Sequence, residues 1–236
     1  MNKFVTLVGS LALVFAASSA VASDLTVPSV SGQVSVDSRD DWRGQKMSSD
    51  ADVGVGLKVD NIGLSGLYVD GDFGKVGNDF PVNSYTVVRS DLGAGYAFQP
   101  VSGLGLDASL HHVYNAQEFL VVKNGKLVPG DYSEFRLKAT YGILFAQVTQ
   151  GVGQVQDNYA QVGVNVPVGD KLHVGAAVSG YHYKDSTNNR YNNSEVFASY
   201  DVLKNLQVYG KYSFGGKTDQ NVALTNYGVV GVSYNF

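Results

Sequence analysis

Few residues of this chain have the types and spacing that catalysis requires. Histidines occur only at 111, 112, 173 and 182, and cysteine is absent. Ser109 and His111 share one face of an alternating segment, with Asp107 beyond them, and are the residue types of a nucleophile and its base. Side chains two positions apart on a strand lie roughly 7 Å apart, outside direct hydrogen-bond reach unless the strand bends, so the expectation is a polar lining and not a relay. Adjacent His111 and His112 must face opposite sides of a strand and cannot share a metal or a proton. Cys clusters, a helical His pair and an Asp-rich calcium loop are all missing. Glycine pairs such as Gly93-Ala94-Gly95 lie inside strand-like segments, not at a helix N-terminus where phosphate binds. No catalytic residue, no metal and no cofactor is predicted, and the chain is not expected to be an enzyme.

The elements that carry these residues follow from composition and period. Only 16% of residues are charged, which is thin for a soluble protein, whereas Gly (28) and Tyr (15) are abundant. A net charge of −4 gives no electrostatic footprint for nucleic acid. Lys3, the apolar run Phe4 to Ala17 and the small-residue site Ala20-Val21-Ala22 form a secretory signal pattern, so residues 1–22 are expected to be removed and 23–236 to form the mature domain. Beyond it, no apolar run is long enough for a membrane-crossing helix.

After Ser23 the sequence alternates with period two, segment after segment, giving about twelve strands. Ala51, Val53, Val55, Leu57 and Val59 alternate with Asp52, Gly54, Gly56, Lys58 and Asp60; Phe135, Leu137, Ala139 and Tyr141 alternate with Glu134, Arg136, Lys138 and Thr140. Wherever a register can be assigned, the apolar face carries no Asp, Glu, Lys or Arg; the segment Leu64 to Asp70 has no clear register. Connections run long, short, long, short, from Asp40–Asp50 and Asn61–Gly63 through Gly71–Asn83 to Gly216–Ala223, and the five prolines stand in connections or at strand ends. Short turns at one rim and long loops at the other predict an up-and-down transmembrane β-barrel.

Turn chemistry predicts pairings. Asn124-Gly125 suits a type I′ hairpin turn, and pairing outward from it sets Tyr114 opposite Phe135 and Leu110 opposite Ala139, with the hairpin projecting beyond the membrane as a rigid ribbon. The turn Gly169–Lys171 pairs Val166 with Val174, and Leu203–Asn205 pairs Tyr200 with Val208. Tyr96, Phe98, Tyr141, Tyr234 and Phe236 near the short turns, and Tyr114, Tyr159, Tyr212 and Phe214 near the long loops, are expected to form two aromatic girdles.

The closing run Val230-x-Val232-x-Tyr234-x-Phe236 resembles the C-terminal assembly signal of bacterial outer-membrane barrels, with Tyr234 and Phe236 as its aromatic positions. The opening Val30-Ser31-Gly32-x-Val34-x-Val36-x-Ser38, followed by Trp42-Arg43-Gly44-Gln45, resembles that of the TorF family of proteobacterial outer-membrane porins; Ser38-Arg39-Asp40-Asp41 departs from the Ser-Asp-Tyr-like stretch usual there. The resemblance implies a Gram-negative outer-membrane barrel that meets lipid and the barrel assembly machinery, and a porin. It carries no site residues.

The polar face then becomes a lumen. It carries Arg39, Lys58, Arg89, Arg136, Lys138 and Lys211 beside Asp37, Asp52, Asp91, Asp107, Glu134, Glu195 and Asp201. The predicted channel lining is Arg39, Arg89, Asp91, Glu134, Arg136, Lys138 and Lys211, with Arg89, Lys138 and Lys211 near mid-height, setting up a transverse field that selects small polar or anionic solutes. Inward glycines such as Gly163 and Gly175 either leave room for a narrow pore or permit bending. Passive diffusion of small polar or ionic solutes is the expected function. Its competitors are an adhesive barrel acting through Trp42, Phe80 and Asn188–Asn193, and, further off, a barrel hydrolase.

Overall fold

In a computed structural model the described residues are 27–39, 41–42, 45–46, 51–78, 85–115, 120–123, 126–129, 131–152, 158–182, 190–218 and 225–236. The signal segment, Phe80 and Asn188–Asn189 lie outside them, and so do the side chain of Trp42 and the Arg43-Gly44 pair, whereas residues 190–193 of the Asn-rich segment open a strand and not a loop.

Every regular element among the described residues is a strand: β1 Ser29–Asp37, β2 Asp41–Trp42, β3 Gln45–Lys46, β4 Asp52–Asp60, β5 Leu67–Asn78, β6 Tyr85–Val101, β7 Leu104–Asn115 and β8 Leu120–Lys123. The series continues with β9 Lys126–Pro129, β10 Tyr132–Tyr141, β11 Leu144–Val152, β12 Asn158–Val168, β13 Leu172–His182, β14 Arg190–Leu203, β15 Leu206–Thr218 and β16 Tyr227–Asn235. Twelve of them close into one antiparallel barrel in the order β1-β16-β15-β14-β13-β12-β11-β10-β7-β6-β5-β4, while β2-β3 and β8-β9 are separate two-stranded sheets. Closure leaves the barrel no free edge, so each of its twelve strands can satisfy its backbone without water.

The faces divide as the alternation requires. Val30, Val55, Leu110, Leu137, Val162, Val196 and Val230 point outward and are exposed, whereas the buried side chains of the barrel strands face inward. Short turns lie at 102–103, 142–143, 169–171 and 204–205. The predicted pairs Val166–Val174 and Tyr200–Val208 are present. Tyr96 stacks on Phe98 and Tyr212 meets Phe214 edge-on, on the outward face near opposite rims.

Four expectations need correction. Asn124 and Gly125 lie outside the described residues, and the β8–β9 pairing does not continue the barrel ladder: β8 and β9 pair Leu120 with Pro129, but β7 and β10 pair Leu110 with Phe135 and Leu106 with Ala139, a shift of four residues. A shift by an even number keeps every side chain on its own face, so parity could not detect it. Residues 71–78 belong to β5 and not to a loop, and the preceding turn runs from Asn61 to Gly66. Gly66 is required there: its φ is 89°, its carbonyl accepts from Ala97 N–H at 2.9 Å, and an added Cβ would strike the Ala97 carbonyl. Tyr159 is not in a girdle but faces inward, 5% exposed, its ring 6.3 Å from that of Tyr181.

The seam is closed by the C-terminus. Beyond the β1–β16 ladder, Gly32 N–H donates to the Phe236 carbonyl and Phe236 N–H donates to the Gly32 carbonyl, each at 3.0 Å. The Phe236 ring lies over Gly32, where a Cβ would come within 2.6 Å of the ring and 3.0 Å of Leu57.

Candidate functional site: the barrel lumen

Two walls of different chemistry face each other across the topology. The first is built from β4, β5, β6, β7 and β10. Arg136 donates through Nε to Glu134 Oε1 at 2.6 Å and, across β7, through Nη2 to Asp91 Oδ2. Asp91 Oδ1 also lies 2.9 Å from His111 Nδ1, and His111 Nε2 is 3.0 Å from Ser109 Oγ. A carboxylate can only accept, so Nδ1 carries a proton, and in the neutral imidazole Nε2 accepts from the Ser109 hydroxyl. Glu134, Ser109 and His111 are buried. Burial of such charges is tolerable because each is paired.

The expectation that Ser109 and His111 cannot touch is therefore overturned. The imidazole lies down along the wall because β6 offers Gly93, where a Cβ would come within 2.5 Å of His111 Nδ1. Asp107 does not join Ser109 and His111; it accepts from Tyr68 O–H at 2.7 Å, and the Tyr68 phenol covers Gly95 in the same manner. Lys58 pairs with Asp60 at 2.6 Å and stands 4.2 Å over the Tyr68 ring.

The second wall spans β11 to β15. Gln147 donates to Gln161 at 3.1 Å, Gln161 donates to Glu195 at 2.9 Å, and Lys211 stands 4.0 Å from Glu195. Gln161 and Glu195 meet over β13, which presents only Gly175, Ala177 and Ser179 at this level. Phe145 and Phe197, which the alternation left unassigned, also face inward, with centroids 6.3 Å apart and planes at 54°. Phe145 covers Gly163, its partner across the ladder, and Phe197 covers Gly175. Lumen glycines here are floors for neighbouring side chains, neither open space nor bends. Between the walls, Tyr209 O–H donates to Asp37 at 2.6 Å.

All seven predicted lining residues are among the described residues, and the structure spreads them along the barrel. Arg136, Glu134 and Asp91 come together. Lys138 lies three residues from the short-turn end of β10 and Lys211 five from that of β15, while Arg89 is twelve from that of β6. Arg89, Lys138 and Lys211 thus occupy different heights. Arg39 follows β1, and its Nε is buried without a hydrogen-bond partner. Sequence reasoning missed Asp70 and Asp72, which the β4–β5 register places inward beside Lys58 and Gly56. With these and Asp60, the described lumen holds ten carboxylates against six basic side chains.

No family model and no characterised protein sequence matches this chain. Among solved structures it is similar to the KdgM porin, at 9% identity and a TM-score of 0.56 over 89% of this chain and 99% of that chain. It is likewise similar to the KdgM porin in complex with disordered oligogalacturonate, at 10% identity and a TM-score of 0.57 with the same coverage. The fold is therefore a closed, twelve-stranded antiparallel barrel similar in architecture to that of the KdgM porin.

Proposed function

We propose that the protein is a narrow outer-membrane channel for passive diffusion of small polar or ionic solutes, with a preference for cations. One observation carries this reading: Asp72, in the middle of β5, faces inward and is nevertheless exposed, so water has room beside it inside the barrel; Lys138, nearer the short-turn rim of β10, is exposed as well. A closed wall with an apolar outside and charged groups against internal water is the build of a diffusion pore. The excess of carboxylates favours cations over anions, which revises the anionic preference expected before Asp70 and Asp72 were placed. The porin-type fold and the N-terminal resemblance to the TorF family support the same reading; on it, outer-membrane lipid and the barrel assembly machinery are the partners, and Tyr234 and Phe236 of the C-terminal strand are the assembly signal. In proteoliposomes, small polar solutes should cause osmotic swelling at rates that fall steeply with solute size; no swelling with any solute contradicts the proposal.

The Asp91–His111–Ser109 connectivity is that of an acyl-transfer relay and favours a second reading, a hydrolase. We set it second for two reasons. Ser109 is only 4% exposed, and the backbone N–H groups around it lie in the sheet plane, committed to the β6–β7–β10 ladder, so no donor pair faces a developing oxyanion.

A further inference from the structure

We propose that the β11–β15 wall is a binding subsite for a neutral saccharide, entered from the channel and resting on the channel reading above. A pyranose has two chemical surfaces: apolar C–H faces, which stack on the negative face of an aromatic ring, and a rim of hydroxyls that both donate and accept. The wall supplies a match for each. Phe145 and Phe197 lie on the lumen surface, half-buried, seated on Gly163 and Gly175 so that their rings remain against the wall. Aromatic rings placed in the polar face of a barrel have no packing core to fill at that position, and they offer water an apolar surface that a sugar face can cover.

Beside the rings runs the ladder Gln147–Gln161–Glu195–Lys211. It offers amide donors and acceptors, a carboxylate and an ammonium in one strip, the mixture that hydroxyl groups satisfy without a net charge of their own. Phe197 is paired across the β14–β15 ladder with Lys211, and Glu195 is two residues from Phe197 on the same face, so rings and polar strip are contiguous. Charge excludes the acidic alternative. The described lumen already carries more carboxylates than basic groups, and a polyuronate would meet that excess along its path. The oligogalacturonate named with the KdgM structure is thus the wrong sign of ligand for this lumen.

The test is planar-bilayer recording on the purified protein, with maltohexaose as the neutral probe and hexagalacturonate as the acidic one. Maltohexaose should block the current in a concentration-dependent manner. Replacing both rings, F145A/F197A, should raise the blocking constant about tenfold or more, and F145L/F197L, which keeps apolar volume but no aromatic face, should do the same. Hexagalacturonate at equal concentration should leave the current unchanged. Folding of each variant is checked by the mobility difference between heated and unheated samples on SDS gels. Equal block in the wild type and the leucine variant, no block by maltohexaose of an open channel, or stronger block by hexagalacturonate would each overturn the subsite. Absence of any current steps instead contradicts the channel. Calorimetry with maltohexaose on the same detergent-solubilised protein then decides the subsite: heat lost in the leucine variant supports it, and no binding by the wild type overturns it.

Discussion

The guanidinium of Arg136 on β10 reaches across β7 to the carboxylate of Asp91 on β6, tying three strands together inside the barrel. Its Nε also holds Glu134, which is wholly buried. One cation thus serves two buried carboxylates, and removing it leaves both without that partner. R136M should therefore destabilise the barrel by about 3–5 kcal/mol, measured by denaturant unfolding in detergent. The triple variant D91N/E134Q/R136M, in which the buried charges are removed together, should regain much of that loss. An R136M barrel as stable as the wild type would mean that the cluster does not hold the wall.

At the β1–β16 seam the Phe236 ring covers Gly32. F236A should lower stability by about 1 kcal/mol through the lost ring contact. G32V should cost a similar amount by displacing the ring, and the double variant should cost less than the sum, because both changes remove one contact. Thermal midpoints from heated and unheated gel mobility provide the measurement, and strict additivity would contradict the coupling.

Legibility of this fold in the sequence was uneven, for physical reasons. Where apolar and polar residues alternate strictly, as in Phe135 to Tyr141, both the strand and its facing were readable, because only one face can meet lipid. In Leu67-Tyr68-Val69-Asp70-Gly71-Asp72 three apolar residues run together and a glycine stands on the outward face, so the period blurs; Asp70 and Asp72 were lost with it. The channel-lining set was named, but not the web among its members, since which side chains meet depends on cross-strand register and on where glycines such as Gly93 let a ring lie flat. Inward aromatics were missed or misplaced, as with Phe145, Phe197 and Tyr159, because an aromatic residue suits a lipid girdle and a lumen wall equally.

Lumen charge should set ion preference in both directions. D70N/D72N removes two of the inward carboxylates and should shift the reversal potential in a salt gradient toward zero or the anion side. R89Q/K138Q should move it further to the cation side. Reversal potentials that stay fixed in both variants would show that these residues do not face the ion path.

Ser109 should behave as a structural hydroxyl. A fluorophosphonate probe should leave it unlabelled, and S109A should cost roughly 1–2 kcal/mol by depriving His111 Nε2 of its partner. Labelling that is lost in S109A would instead restore the hydrolase reading.

Single-channel recording of the wild-type protein across a salt gradient tests the central claim most directly. Discrete conductance steps are predicted, with a reversal potential of the sign set by cations crossing more readily than anions. A membrane that stays silent with correctly folded protein inserted, or steps that reverse on the anion side, would contradict the account.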